Sequence, residues 1–241
     1  MLKAVLFDLD GTLLPMDQAV FMKDYFGRLL RRLIPLGYTP EVFHAAMQAG
    51  IAAMVKNDGS RTGEEAYWDA YVSVSGTDLD KELPVLDDFY SGEFDQVAAS
   101  CGYTPKAAEL VHSLKARGIR VILATNPLFP RIATQKRISW TGLTPEDFER
   151  YTTYEDIGVC KPNPAYYREV LARLGLAPEE CLMVGNDVAE DMMAASKVGI
   201  RGFLLTACLI NTPNADVNDY PHGGFEELEA YLQELMAEQN G

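Results

Sequence analysis

Four short apolar runs along the chain each give way abruptly to small polar residues. Residues 3–9 run Lys-Ala-Val-Leu-Phe-Asp-Leu and close on Asp10-Gly11-Thr12, the pattern of a buried strand ending in a turn. Residues 118–124 lead into Thr125-Asn126-Pro127, residues 181–184 into Gly185-Asn186-Asp187, and residues 202–205 into Thr206. Between them lie helical stretches with defined starts. Thr104-Pro105 precedes residues 106–117, and Asn163-Pro164 precedes residues 165–174. A polar cap followed by proline at the first helical position starts a helix, and Gly118 and Gly175 supply the left-handed residue that stops one. Alternating strands and helices predict an α/β fold: a mainly parallel sheet with helices on both faces, whose ligands sit at the carboxyl ends of the strands.

Residues 16–103 interrupt this alternation with helical periodicity and no convincing buried strand. Met22, Phe26, Leu29, Leu30 and Leu33 share one helical face, Thr39-Pro40-Glu41 opens a second helix, and Thr62-Gly63-Glu64-Glu65 is a capping box for a third. The expected organisation is a core from residues 1–15 and 104–241 carrying a smaller inserted helical domain at 16–103. No internal repeat or low-complexity tract is evident.

Composition adds exclusions. Of 241 residues, 48% are hydrophobic and 23% charged, the balance of a globular chain with room for a sizeable core. With 35 acidic against 21 basic residues the net charge is −14, which disfavours binding to nucleic acid but leaves a small anionic substrate open if one cleft inverts the field locally. Cys101, Cys160, Cys181 and Cys208 form no CxxC pair, so a zinc site is not indicated and a reduced, cytoplasmic setting is expected. The N-terminal apolar run is broken at Asp8, unlike a signal peptide, and no apolar run is long enough for a membrane span.

The chemistry begins at Asp8 and Asp10. Two apart at a strand end, they project to the same side, and such close like charges imply a shared proton or a bound hard dication. Asp8-Leu9-Asp10-Gly11-Thr12-Leu13 resembles the first motif of the haloacid dehalogenase superfamily. Thr125 after its strand resembles the second motif, Lys161 in Lys161-Pro162-Asn163-Pro164 the third, and Gly185-Asn186-Asp187 with Asp191 the fourth. The resemblance implies a Rossmann-like core with a helical cap between the first and second motifs, and a Mg2+-dependent phosphatase acting on a small phosphorylated metabolite. It makes Asp8 the nucleophile that becomes an aspartyl phosphate, and Asp10 the general acid and base, whose backbone carbonyl also ligates the metal. Thr125, with Asn126, and Lys161 would hold the phosphoryl oxygens. Asp8, Asp10 and Asp187 would hold the metal, with Asp191 and Asn186 in support. The family more often has aspartate where Asn186 stands; Asp187 is preferred here because a carboxylate binds a hard dication better than an amide does.

Other features read as structure. Arg28, Arg31 and Arg32 suit a solvated helix face, Tyr67, Trp68 and Tyr71 a cap core rather than a substrate cage, and residues 206–224 a long irregular loop that could border the cleft. Arg61, in the turn of residues 57–61, is a somewhat better candidate than these arginines for contacting an anionic substrate. His44, His112 and His222 are too scattered for histidine catalysis. Two alternatives share the core: a phosphosugar mutase, and a catalytically silent binding protein. The dehalogenase branch of the superfamily would not need Asp10.

Overall fold

The computed structural model describes residues 1–237. The last four residues of the expected 104–241 span therefore lie outside the described residues. Six strands form one sheet: Ala4–Phe7 (β1), Arg120–Leu123 (β2), Arg150–Tyr151 (β3), Cys181–Gly185 (β4), Arg201–Leu205 (β5) and His222–Gly223 (β6). Their order is β3-β2-β1-β4-β5-β6 and every pairing is parallel. Phe7 is level with Leu123 on one side and Val184 on the other, so the residues that follow these three strands emerge together at the carboxyl edge.

Period-2 alternation divides the strands between two cores. Val5, Phe7, Val121, Leu123, Leu182 and Val184 face one side, where Pro105–Ala116 and Phe225–Ala237 pack; Ala4, Leu6, Ile122, Cys181 and Met183 face the other, against Pro164–Leu174. Both faces being covered is what near-continuous apolar strands require. The helices are Gln18–Leu33 (α1), Pro40–Lys56 (α2), Gly63–Ser75 (α3), Leu79–Ser91 (α4), Pro105–Ala116 (α5), Arg131–Trp140 (α6), Pro164–Leu174 (α7), Ala194–Ser196 (α8) and Phe225–Ala237 (α9). A π-helical segment, Val188–Met193, runs into α8.

Helices α1 to α4 and a 3-10 segment, Glu93–Ser100, form the inserted unit. At its base Met16 bridges to Cys101 and the Gly102 amide donates to the Pro15 carbonyl at 2.6 Å, so chain entry and exit are pinned side by side. The capping box of Thr62 and Glu65 forms as its spacing predicts. The buried face of α1 centres on Phe21, Tyr25, Leu29 and Leu33; Met22, Phe26 and Leu30 flank it, one position round from the face read off the sequence.

Several local readings are corrected. The 206–224 stretch is not wholly irregular: it contains a 3-10 turn at Val217–Asp219 and the edge strand β6. Helices α6 and α9 and strand β3 were not anticipated, because α6 (Arg-Ile-Ala-Thr-Gln-Lys-Arg-Ile-Ser-Trp) has little apolar periodicity and a two-residue strand is too short to show one. Arg28 and Arg32 do not simply face water: Arg28 pairs with Asp24 and Gln96, and Arg32 with Asp88, tying α1 to its neighbours. Arg61 pairs with Asp69 in the same unit.

Candidate active site

Asp8 is the first residue beyond β1, its amide donating to the Val184 carbonyl at 2.9 Å. That bond extends the sheet's pairing by one residue and fixes the carboxylate at the centre of the carboxyl edge. Lys161, on the loop before α7, is buried and reaches Asp8 Oδ1 at 3.1 Å and Asp191 Oδ1 at 2.6 Å. Burial alone would push the lysine pKa down, but Asp191 and Asp8 more than reverse it and hold the ammonium charged. Asp191 lies in the π-helical segment and turns back over the strand end, where its Oδ2 accepts the Asp187 amide at 3.0 Å. A Cβ at Gly185 would stand 2.1 Å from that same oxygen, so only glycine at the end of β4 lets Asp191 reach the lysine.

Asp8 and Asp10 do not share a single counter-charge. Strand β1 stops at Phe7, Asp8 and Asp10 both line the same cavity, and the Asp10 carboxylate pairs with the guanidinium of Arg137 on α6. Arg137 is fully buried, its charged carbon 3.9 Å above the Phe129 ring, and it also donates to the Ala133 carbonyl and the Thr134 hydroxyl. Asp10 Oδ1 is buried without a partner. Burial raises the Asp10 pKa; Arg137 opposes this and Asp8 adds to it. The sequence reading did not single out Arg137, and its only signal was a cation within an otherwise weakly patterned helix.

Thr125 follows β2, is buried and lines the cavity beside Asp8, while its carbonyl accepts hydrogen bonds from Thr152 and the Tyr166 hydroxyl. Asn126 acts as a staple: its Oδ1 accepts the Lys161 amide at 3.2 Å and its Nδ2 donates to Glu190 Oε2 at 2.9 Å. Asn186 is buried. Its Nδ2 donates to the Cys208 carbonyl at 2.7 Å, and its Oδ1 accepts the Thr12 hydroxyl, which also lies 3.4 Å from Asp8 Oδ2. Gly11, at φ +86°, permits this approach, since a Cβ there would meet Asn186 at 2.3 Å. Asp187 Oδ1 caps the following helix by accepting the Ala189 and Glu190 amides. The start of the 206–224 stretch therefore braces the site through Cys208, and through Ile210, which bridges to Asp187.

The site opens into one cavity of about 320 Å3, whose walls include Asp8, Asp10, Thr125, Asn126, Asn186, Asp187, Glu190 and Asp191. Tyr67, Trp68 and Tyr71 line it too, so the cap-core reading of these rings is incomplete: Tyr67 and Tyr71 are buried and also form chamber wall.

The carboxyl of Glu190 is also altered by this setting. Burial, reinforced by Asp191, Asp187 and Asp8 and opposed by Lys161, lifts its pKa from 4.5 to about 8. Between those values the folded chain holds a proton that the unfolded chain releases, so stability falls as pH rises through the window. In chelator, Glu190→Gln is expected to remove on the order of 2 kcal/mol of the fall between pH 5 and 9, measured by urea denaturation across that range. A wild-type and variant fall of equal size would exclude the effect.

A family model described as haloacid dehalogenase-like hydrolase matches residues 2–199. The glyceraldehyde 3-phosphate phosphatase of Methanothermobacter thermautotrophicus is 26% identical over 222 residues, covering 86% of this chain and 87% of that protein. The ribulose-1,5-bisphosphate 5-phosphatase of Halopiger xanaduensis is 30% identical over 213 residues, covering 85% and 84%. Among solved structures, a magnesium-bound hydrolase of the same fold from Bacillus subtilis superimposes with a TM-score of 0.57 at 20% identity, covering 96% of this chain and 99% of that one.

Proposed function

The chain belongs to the haloacid dehalogenase-like hydrolases, and from that membership and the site geometry we propose a magnesium-dependent phosphatase that hydrolyses a small phosphomonoester through an aspartyl phosphate on Asp8. The observation that carries this reading is the buried Lys161 ammonium held between Asp8 and Asp191, two carboxylates that line the cavity. It offsets charge on a nucleophilic carboxylate and on an incoming phosphoryl group at once.

Asp8 attacks phosphorus as the ester P–O bond breaks, and Asp10 gives its proton to the departing alkoxide. The unpartnered, buried Oδ1 is the atom placed to carry that proton, Oδ2 being taken by Arg137. In the second half Asp10 takes a proton from water as the water oxygen attacks phosphorus, which frees inorganic phosphate and the Asp8 carboxylate. Thr125 and the Asn126 backbone amide orient the phosphoryl oxygens, and Lys161 remains charged throughout. The alternative of a silent binding protein is disfavoured because Asp8, Asp10, Thr125 and Asn126 all line one cavity and Lys161 bonds to Asp8 at its edge.

The donors around Asp8 are all oxygens, which suits a hard dication. Among the described residues no three His, Cys, Asp or Glu side chains gather as a ready metal cluster. Asn186 presents an amide, not a carboxylate, at the Thr12 hydroxyl beside Asp8, and Asp187 commits one oxygen to its cap. Asp8, the Asp10 carbonyl and the Asn186–Asp187 pair would hold Mg2+, which when bound neutralises charge developing on the phosphoryl oxygens. No described helix is long and apolar enough to cross a membrane.

The test is phosphate release from phenyl phosphate. Magnesium is expected to support turnover, and chelation to lower it at least ~100-fold, with recovery on adding magnesium back. Turnover indifferent to chelator removes the metal from the proposal. Inactivity across aryl, alkyl and sugar phosphates favours the binding-protein alternative.

A further inference from the structure

The cavity runs from Asp8, Thr125 and Asn126 into the inserted unit, and beyond that polar floor its character changes. Phe21, Phe26, Leu29, Ile51, Trp68 and Leu86 supply wall, with tyrosine rings between them. The hydroxyls of Tyr25, Tyr67, Tyr71 and Tyr90 are already engaged. Tyr25 and Tyr90 hydroxyls bond each other at 2.5 Å, the Tyr67 hydroxyl donates to Met47 Sδ at 3.0 Å, and Tyr71 donates to Glu82 Oε1 at 2.7 Å. Glu82, the carboxylate on the cap side of the wall, is buried, and its other oxygen accepts the Tyr38 hydroxyl. Burial raises the pKa of Tyr25, Tyr67, Tyr71 and Tyr90, so these groups stay neutral. A polyol entering here would surrender water and find the hydroxyls of Tyr25, Tyr67, Tyr71 and Tyr90 already engaged within the protein, an arrangement that disfavours polar groups rather than recognising them.

Resting on the phosphatase reading, we infer that the alcohol half of the substrate is apolar and of aromatic or medium alkyl size, unlike the sugar phosphates in the names of the related enzymes. The occupant is argued from continuity: one cavity of about 320 Å3 is lined both by Asp8, Thr125 and Asn126 and by the apolar side chains of the inserted helices, which is room for a ring or a short chain behind a phosphate. Binding energy from that remote half would be available to align the ester on Asp8. Ile51 on α2, half-buried and facing the chamber, is a specificity-determining position.

The experiment compares n-alkyl phosphates from ethyl to octyl, 3-phenylpropyl phosphate and glyceraldehyde 3-phosphate in kcat/KM, with magnesium present, and measures by calorimetry the binding of the matching n-alkyl phosphonates, which cannot be hydrolysed. Both kcat/KM and phosphonate affinity are expected to rise about fourfold per methylene, the ratio that burying one such group provides, until the chamber is full. The phenylpropyl ester should exceed glyceraldehyde 3-phosphate by at least ~100-fold. Ile51→Trp should bring the plateau forward by two or more carbons. A flat series, an unmoved plateau in a folded Ile51→Trp, or glyceraldehyde 3-phosphate matching the longest esters overturns the inference. The catalytic reading fails separately: chain-length-dependent phosphonate binding with no phosphate released from any ester sustains the chamber and removes the reaction, whereas uniform hydrolysis with flat phosphonate binding does the reverse.

Discussion

Asp8→Asn is expected to abolish phosphate release, lowering kcat at least ~1,000-fold, while leaving the protein folded. The amide is nearly isosteric with the carboxylate but is not a nucleophile toward phosphorus, so the covalent route closes. The structural cost is small because Lys161 does not depend on Asp8 alone: Asp191 stays 2.6 Å away and is itself fixed by the Asp187 amide. The Asp8 backbone bond to Val184 involves no side-chain atom and survives. A stopped reaction in a protein whose urea midpoint is within the ordinary range of surface variants would identify Asp8 as a chemical participant. Retention of a tenth or more of the wild-type rate is incompatible with the aspartyl phosphate.

The alternation of strands and helices was legible because buried parallel strands must be apolar on both faces, and β1, β2, β4 and β5 are. Their ends were legible for the complementary reason: the polar residues after each strand have no place in a core, and register then brings Asp8, Thr125 and Asn186 to one edge. Lys161 could be placed only by resemblance, because β3 beside it has two residues and leaves no periodic trace. The counter-ion of Asp10 was not legible: Arg137 stands on a helix 127 residues away in sequence. Nothing local encodes such a partner. The same holds for the chamber: a helical stripe of Phe21, Tyr25 and Leu29 reads as core, and it is core, yet the space left between that stripe and α2, α3 and α4 depends on how whole helices pack.

Charge placement also bears on the fourth motif. A carboxylate at position 186 would face Asp8 across the Thr12 hydroxyl and add a third negative charge beside Asp8 and Asp10, whereas the amide supplies an oxygen donor with no net charge. Asp187, one residue further, is drawn to the helix start, where two amides satisfy it. The preference for a carboxylate over an amide, sound for an isolated ligand, thus competes with the capping requirement of the segment that carries Asp191 to the lysine.

Arg137→Met is the variant expected to cost the most stability, about 3–5 kcal/mol, the usual penalty for removing one partner of a buried ion pair. The methionine retains apolar contact with Phe129, so the loss is electrostatic in the main. Asp10 would keep one oxygen already without a partner and lose the cation on the other. The burial that raises its pKa would then act without its chief opponent, and the carboxyl would hold its proton to higher pH. Asp10→Asn removes the charge that Arg137 was answering, so in the double variant Asp10→Asn with Arg137→Met neither residue leaves a buried charge behind. Equilibrium urea unfolding of the four proteins closes the cycle. A coupling of about 1–3 kcal/mol in favour of the native pair is expected, with the double variant more stable than Arg137→Met alone. Strict additivity would mean that Arg137 stabilises α6 through its bonds to Ala133 and Thr134 rather than through the acid it faces.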